Sequence, residues 1–231
     1  MLERGRRVEI TVINRLHEST AVHWHGMELE SYYDGVAGWG MRGNDLTPTI
    51  EPGHSFRVRF TPPRTGTFIY HTHMDDEAQM TGGLYGPLIV TEPGAKFKAD
   101  AEPIFVIGGH GGHRSTEPDR PLAALLNGSD QPATLHWHSG TAYHIRVINI
   151  SNALIGIVSV TGSAGPVQWR ARAKDGADLP AGQAILKDAS QLTSPGETYD
   201  FDFQPQDRGH LKLEFKGVVL PVNVTQEIDI D

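Results

Sequence analysis

Hydrophobic and polar residues alternate along Val8-Glu9-Ile10-Thr11-Val12-Ile13 and again along Ser55-Phe56-Arg57-Val58-Arg59-Phe60. A period of two sends one set of side chains into a core and the other into water, which is the pattern of half-buried strands. Proline and glycine clusters punctuate the chain at roughly ten-residue intervals, the spacing of strands in an all-β sandwich. Helical periodicity is weak. A short stretch from Gln183 to Ser190 is the best candidate helix, and alternating α/β layers are not expected.

The pattern is also repeated. Val12-Ile13-Asn14 returns as Val147-Ile148-Asn149, an offset of 135 (149 − 14). The run Ile50-Glu51-Pro52-Gly53, leading to Phe60 and Pro62, returns as Thr193-Ser194-Pro195-Gly196, leading to Phe203 and Pro205, an offset of 143 (195 − 52). Two copies of one sandwich explain both offsets if the second carries a net insertion of eight residues (143 − 135). A boundary near Pro93-Gly94 then divides the chain into 1–94 and 95–231. Strand-like Pro103–Ile107 and Leu125–Gly128 precede the second copy, whereas the first has almost nothing ahead of its matching position. The first sandwich is therefore expected to lack its opening strand or strands, leaving an edge that favours oligomerisation.

Composition narrows the function. A length of 231 residues suits two domains, and no stretch approaches the roughly 20 apolar residues of a membrane helix. The 28 acidic and 20 basic residues give a formal charge of −8, which discourages binding to nucleic acid or anionic lipid. The absence of cysteine excludes disulfides and thiolate ligands and leaves the redox compartment unread. Met1-Leu2-Glu3-Arg4-Gly5-Arg6-Arg7 leads straight into a strand without a signal-peptide core, so a portion of a longer protein is expected.

Histidine supplies the candidate chemistry. Chance would place about 0.6 pairs at i, i+2 among the histidines, yet three occur: His23-Trp24-His25, His71-Thr72-His73 and His136-Trp137-His138. On a strand such a pair shares one face, and two imidazoles can converge on one metal or address two. By the 135 offset His23 and His25 fall opposite Val158 and Val160; by the 143 offset His71 and His73 fall opposite Glu214 and Lys216. One copy thus carries four imidazoles where its twin has ordinary residues, which assigns them to a site and not to the scaffold.

Thr20-Ala21-Val22-His23-Trp24-His25-Gly26, Tyr33-Asp34-Gly35, Pro52-Gly53, Gly66-Thr67-Phe68-Ile69-Tyr70-His71-Thr72-His73 and Gly82-Gly83-Leu84-Tyr85-Gly86-Pro87-Leu88-Ile89-Val90 together resemble the first cupredoxin domain of laccase-like multicopper oxidases. Residues 94–231 resemble the second cupredoxin domain of that family, which in three-domain members carries no copper. The resemblance implies two Greek-key β-sandwich domains of cupredoxin type, with His23 on a type 2 copper and His25, His71 and His73 on a type 3 pair. It implies that Asp34 feeds protons to the oxygen site, that a phenolic or similar donor is oxidised with O2 as acceptor, and that chains associate, as homotrimers in two-domain members. It also implies a secreted or periplasmic location.

The remaining ligand motifs of the family, His-Pro-x-His-x-His-Gly and His-Cys-His, are absent, and without cysteine there is no type 1 copper. Four imidazoles support one well-held copper or two poorly held ones. Three readings stay open: a copper oxidase assembled from several chains, a copper-binding fragment or copper-handling module without turnover, and a structural sandwich with empty histidines. Other residues have plainer explanations. His136 and His138 suit a half-buried strand, Gly108–His113 reads as a flexible loop with two histidines, and His17, His54, His144 and His210 read as surface or packing residues. Met27, Met74 and Met80 flank the candidate site, where thioethers would favour Cu(I), and Trp24 and Tyr70 are expected to pack around it.

Overall fold

The computed structural model describes residues 1–111 and 119–231. Strands dominate it and form two sandwiches. In the first, a four-stranded sheet runs in the order Leu2–Glu3, Tyr85–Thr91, Gly66–Thr72, Val22–His25. The pair Val8–Ile13 and Ser55–Phe60 covers one of its faces, in the register Val8↔Phe60 to Ile13↔Ser55. Val22, Trp24, Val58, Phe60, Phe68, Leu88 and Val90 fill the space between them. The second sandwich is larger, with Ile104–His110, Tyr143–Asn149, Thr198–Phe203 and Gln168–Lys174 in one sheet and Asn223–Ile230, Gly209–Gly217 and Gly156–Gly162 in the other. Trp169 is fully buried there and stacks on Phe201 at a centroid separation of 3.7 Å.

The sequence repeat is a repeat of hydrogen bonds. Asn14 N–H donates to His54 O and accepts at its carbonyl from Gly53 N–H; Asn149 does the same with Glu197 and Gly196. Each asparagine side chain also accepts the backbone N–H two residues on, from Leu16 in one copy and Ser151 in the other. The short polar side chain turns the backbone at a strand end by satisfying its orphan groups, and the Pro-Gly turn closes the same corner.

The offset for the first histidine pair needs correction. Val158 and Val160 are core residues of the second sandwich, whereas His23 and His25 stand on the opposite face from the core residues Val22 and Trp24. Matching core to core pairs His23 with Ser159 and His25 with Thr161, one residue further along. A slip of one inverts every side chain of a strand, so the faces decide the alignment. His71 and Glu214 keep the 143 offset, since their neighbours Tyr70 and Leu213 both pack against cores.

Two further expectations are corrected. Gln183–Ser190 is not helical: Leu186–Asp188 and Ser190–Thr193 are strands, the former paired with the edge of Gln168–Lys174. Pairing with Gln168–Lys174 and with Gly156–Gly162 satisfies the backbone of these strands instead. The six-residue helix lies at Asp76–Thr81, immediately after the second histidine pair. Gly108, Gly109 and His110 end the strand Ile104–His110, and His110 is buried, so this part is no flexible loop; His113 lies outside the described residues.

Buried charge joins the sandwiches. Arg146 Nη1 donates to Asp200 Oδ2 at 2.9 Å and to Thr67 Oγ1 at 2.8 Å, and Nη2 donates to Glu102 Oε2 at 2.8 Å. Thr67 Oγ1 donates to Asp200 Oδ1 at 2.7 Å, and Thr198 Oγ1 to Thr67 O at 3.0 Å. Beside this network Ile69, Met80, Val106, Ile148 and Ile150 form an apolar cluster between the two sandwiches.

Candidate metal centre

Val22–His25 pairs antiparallel with Gly66–Thr72 in the register Val22↔Thr72, His23↔His71, Trp24↔Tyr70, His25↔Ile69. Alternation then divides the two strands. Val22, Trp24, Phe68 and Tyr70 face the first core, while His23, His25 and His71 face the second sandwich together with Thr67 and Ile69. The same period that builds the core therefore gathers the imidazoles. His73 follows the strand, its backbone N–H held by Ala21 O at 2.9 Å. The His23 ring lies 5.4 Å from that of His25, 5.3 Å from that of His71 and 5.7 Å from that of His73. One nitrogen from each of His23, His25 and His71 falls within 4.8 Å of the others, the one such metal-competent group among the described residues.

The outer nitrogens are tied to the protein. His23 Nδ1 lies 2.9 Å from Asp34 O and 3.2 Å from Asp34 Oδ2. A carbonyl only accepts, so Nδ1 carries the proton and the lone pair sits on Nε2. His71 Nδ1 donates in the same way to Thr72 O at 2.6 Å, leaving its Nε2 lone pair 3.3 Å from His25 Nδ1. Fixing the tautomer through the far nitrogen is how proteins orient imidazoles toward a metal. Burial, and then the neighbouring histidines, pull the His71 pKa down to about 4, against the opposing hydrogen bond to Thr72; burial and His23 also lower that of His25. Both rings are neutral at pH 7, the form that can coordinate.

Two features set this geometry from outside. Gly35, at φ +86°, lets the Asp34 turn lie directly on the strand, because a Cβ there would stand 1.7 Å from Val22 O. Gln79 is buried on the Asp76–Thr81 helix, and its Oε1 accepts from Thr20 Oγ1 at 2.8 Å and Thr72 Oγ1 at 2.6 Å. Its Nε2 donates to Ser19 O at 2.9 Å. The amide thus ties the segment before the first histidine pair to the residue inside the second.

The four histidines open onto a cavity of about 320 Å³ that Met80 also lines. Its far wall is Ile150, Ser151, Asn152, Pro195 and Gly196 of the second sandwich, with Gly196 against the edge of the His25 ring. Met27 is instead packed in the first core with Trp24, and Met74 lies outside the cavity lining. His136 and His138 are on the surface of the second sandwich and do not join the cluster. His17 and His54 are exposed, His144 pairs with Asp200 at 3.0 Å, and His210 sits between Glu227 and Asp229. Gln79 and the second-sandwich wall were not among the sequence-derived candidates; the repeated Pro-Gly turn was the one visible signal for part of that wall.

The chemistry of this donor set fits copper: neutral imidazoles held close together with fixed tautomers suit Cu(II) or Zn(II). Residues 1–95 match the multicopper oxidase family model. Copper resistance protein A of Pseudomonas syringae pv. tomato is 36% identical over 107 residues, 46% of this chain and 16% of that protein. Laccase-1 of Emericella nidulans is 38% identical over 129 residues, 54% of this chain and 18% of that protein. The chain thus matches less than a fifth of the length of either relative. The blue copper oxidase of Nitrosomonas europaea superposes with a TM-score of 0.79 at 21% identity, over 99% of this chain and 74% of the other, a likeness of fold.

Proposed function

We propose that this chain, whose residues 1–95 match the multicopper oxidase family model, acts as a copper-dependent, laccase-like oxidoreductase on phenolic or similar donors, with O2 as acceptor. The observation that carries the reading is the convergence of His23, His25 and His71 nitrogens within 4.8 Å, two of the rings anchored through Nδ1. His23 would hold one copper and His25, His71 and His73 a neighbouring pair. Bound copper would supply one-electron redox chemistry between donor and O2. Asp34, whose carboxylate meets His23 Nδ1 at 3.2 Å, would hold His23 in place and carry a proton at Oδ2 for the oxygen side of the site. Met80 and the Ile150–Asn152 wall would restrict water around the imidazoles.

The 231 residues contain no cysteine and a second copy would bring none, so this oxidase chemistry would run without a type 1 copper, with the remaining imidazoles supplied by a neighbouring copy. Homo-oligomer formation, as a homotrimer, is the proposed arrangement. Four imidazoles favour a second reading, copper holding without turnover. Oxygen uptake separates the two. Copper-loaded protein should consume O2 when a simple phenol is added, and the His71→Ala/His73→Ala variant should not. Firm copper binding with no phenol-dependent uptake would leave the second reading standing and sink the first.

A further inference from the structure

The first sandwich carries a second polar cavity, of about 300 Å³, that shares no residue with the copper cavity. Arg7, Arg42 and Arg59 line it together with Glu30, Tyr33 and Phe60. The three arginines come from separate segments: Arg7 precedes Val8–Ile13, Arg59 is on the strand paired with it, and Arg42 is on the hairpin of Met41–Arg42 and Asp45–Leu46. In a chain of net charge −8, three guanidiniums thus meet with one lining carboxylate. The hairpin that carries Arg42 is firmly seated. Gly40 lies so close to the Ser31–Tyr33 turn that a Cβ there would stand 1.9 Å from Ser31 O. Thr47 Oγ1 donates to Tyr32 O at 2.9 Å, and Met41 N–H donates to Ser31 Oγ at 3.3 Å. Arg42 then donates through Nη1 to Tyr33 OH, and its guanidinium carbon lies 5.6 Å from the centroids of both the Tyr32 and Tyr33 rings. Such stacking orients a cation without neutralising it. Arg59 Nε bonds Glu9 Oε2 at 2.7 Å, whereas Arg7 and Arg42 have no carboxylate partner among the described residues.

We propose that this cavity is an oxyanion site, which takes the carboxylate or phosphate group of a small ligand. Guanidiniums gathered in one cavity repel one another, and an anion between them turns that repulsion into attraction. Their planar forks match the oxygens of a carboxylate or phosphate with paired hydrogen bonds. Arg42, oriented by the two tyrosines, is the fixed member of the site, while Arg7 is exposed and free to close on the ligand from the neighbouring strand. Glu9 offsets Arg59, and Glu30 offsets part of the rest. The small surplus suits a group with one or two negative charges and not a polyanion such as nucleic acid. A volume of about 300 Å³ is at the lower end for ligand pockets. It admits phosphate, or a benzoate-sized molecule whose ring lies along Tyr33 and Phe60.

Titration of the metal-free 15N-labelled protein tests it, with inorganic phosphate in one arm and benzoate in the other, at an ionic strength held constant with chloride. The cavity contains no copper-site histidine, so the result does not depend on copper chemistry. Amide signals of Tyr33, Arg42 and Arg59 to Thr61 should shift and saturate in the millimolar range in at least one arm. Saturation by both probes assigns the site to the oxyanion alone; saturation by benzoate only assigns it to an aromatic carboxylate, and by phosphate only to phosphate. Arg7→Gln/Arg42→Gln should bind at least about fivefold more weakly with the rest of the spectrum unchanged. Arg42→Lys, which keeps the charge and loses the fork, should fall between the two. Arg4→Gln, at an arginine outside the cavity and paired with Glu92, should bind as the unsubstituted protein does. No saturating shift at these residues in either arm would overturn the proposal, as would a response that survives the double replacement or falls equally in Arg4→Gln.

Discussion

Gln79 bonds Thr20 across a separation of 59 residues and Thr72 across 7, and through them it reaches both histidine pairs. Replacing it by Leu strands the buried Thr20 hydroxyl, at a cost of about 1–3 kcal/mol, while the Thr72 hydroxyl keeps only Met74. A lowered melting temperature is expected for the metal-free protein, with copper affinity weaker by about 10- to 100-fold, the usual cost of losing a group that orients a ligand. Gln79→Glu, which keeps an acceptor for both threonines, should recover part of the affinity. Equal copper affinity in Gln79→Leu, measured by competition with a chelator, would show that the amide serves the fold alone. The histidines were legible in the sequence because their i, i+2 spacing is itself a strand geometry. Gln79 was not, since a hydrogen-bond hub has no period and its partners are set by tertiary packing.

At the scale of elements, alternation did most of the work. Val8–Ile13 and Ser55–Phe60 were readable as strands and are paired residue for residue. The repeated Asn and Pro-Gly residues were readable as a duplicated unit, and they make the same corner twice. What spacing alone misplaced was the face of the first histidine pair, because an offset counted from one anchor cannot reveal a shift of one before the next strand. The short helix after His73 escaped notice because six residues carry too little periodicity to register. The turn that fixes Asp34 gives a direct test. Gly35→Ala puts a methyl where Val22 O stands and imposes a positive φ on an L side chain. Destabilisation of at least about 2 kcal/mol is expected in denaturant unfolding, and copper affinity should fall with it. Wild-type stability would mean that the Asp34 turn does not lie against the strand as described.

For the whole molecule, the site depends on how two sandwiches meet. The second sandwich supplies none of the four histidines, yet its Ile150–Asn152 and Pro195-Gly196 segments close one side of the cavity. The charged network of Arg146, Asp200, Glu102 and Thr67 fixes that contact. Arg146→Leu leaves buried Asp200 with only His144 and Thr67 as partners, and breaking a buried pair from one side costs up to about 3–5 kcal/mol. Thermal unfolding should shift down accordingly and copper release should become faster; an unchanged transition would show that the sandwiches are held by other contacts. This arrangement was invisible in the sequence, because partners such as Thr67 and Asp200 lie 133 residues apart. The measurement closest to the central claim is copper retained per chain after exhaustive dialysis, compared between the unsubstituted protein and His71→Ala/His73→Ala. At least one copper should remain in the former at the cavity and be lost in the latter, with the β-sheet circular dichroism of both the same. Equal retention by the two, or none by either, would contradict the assignment of these histidines as copper ligands.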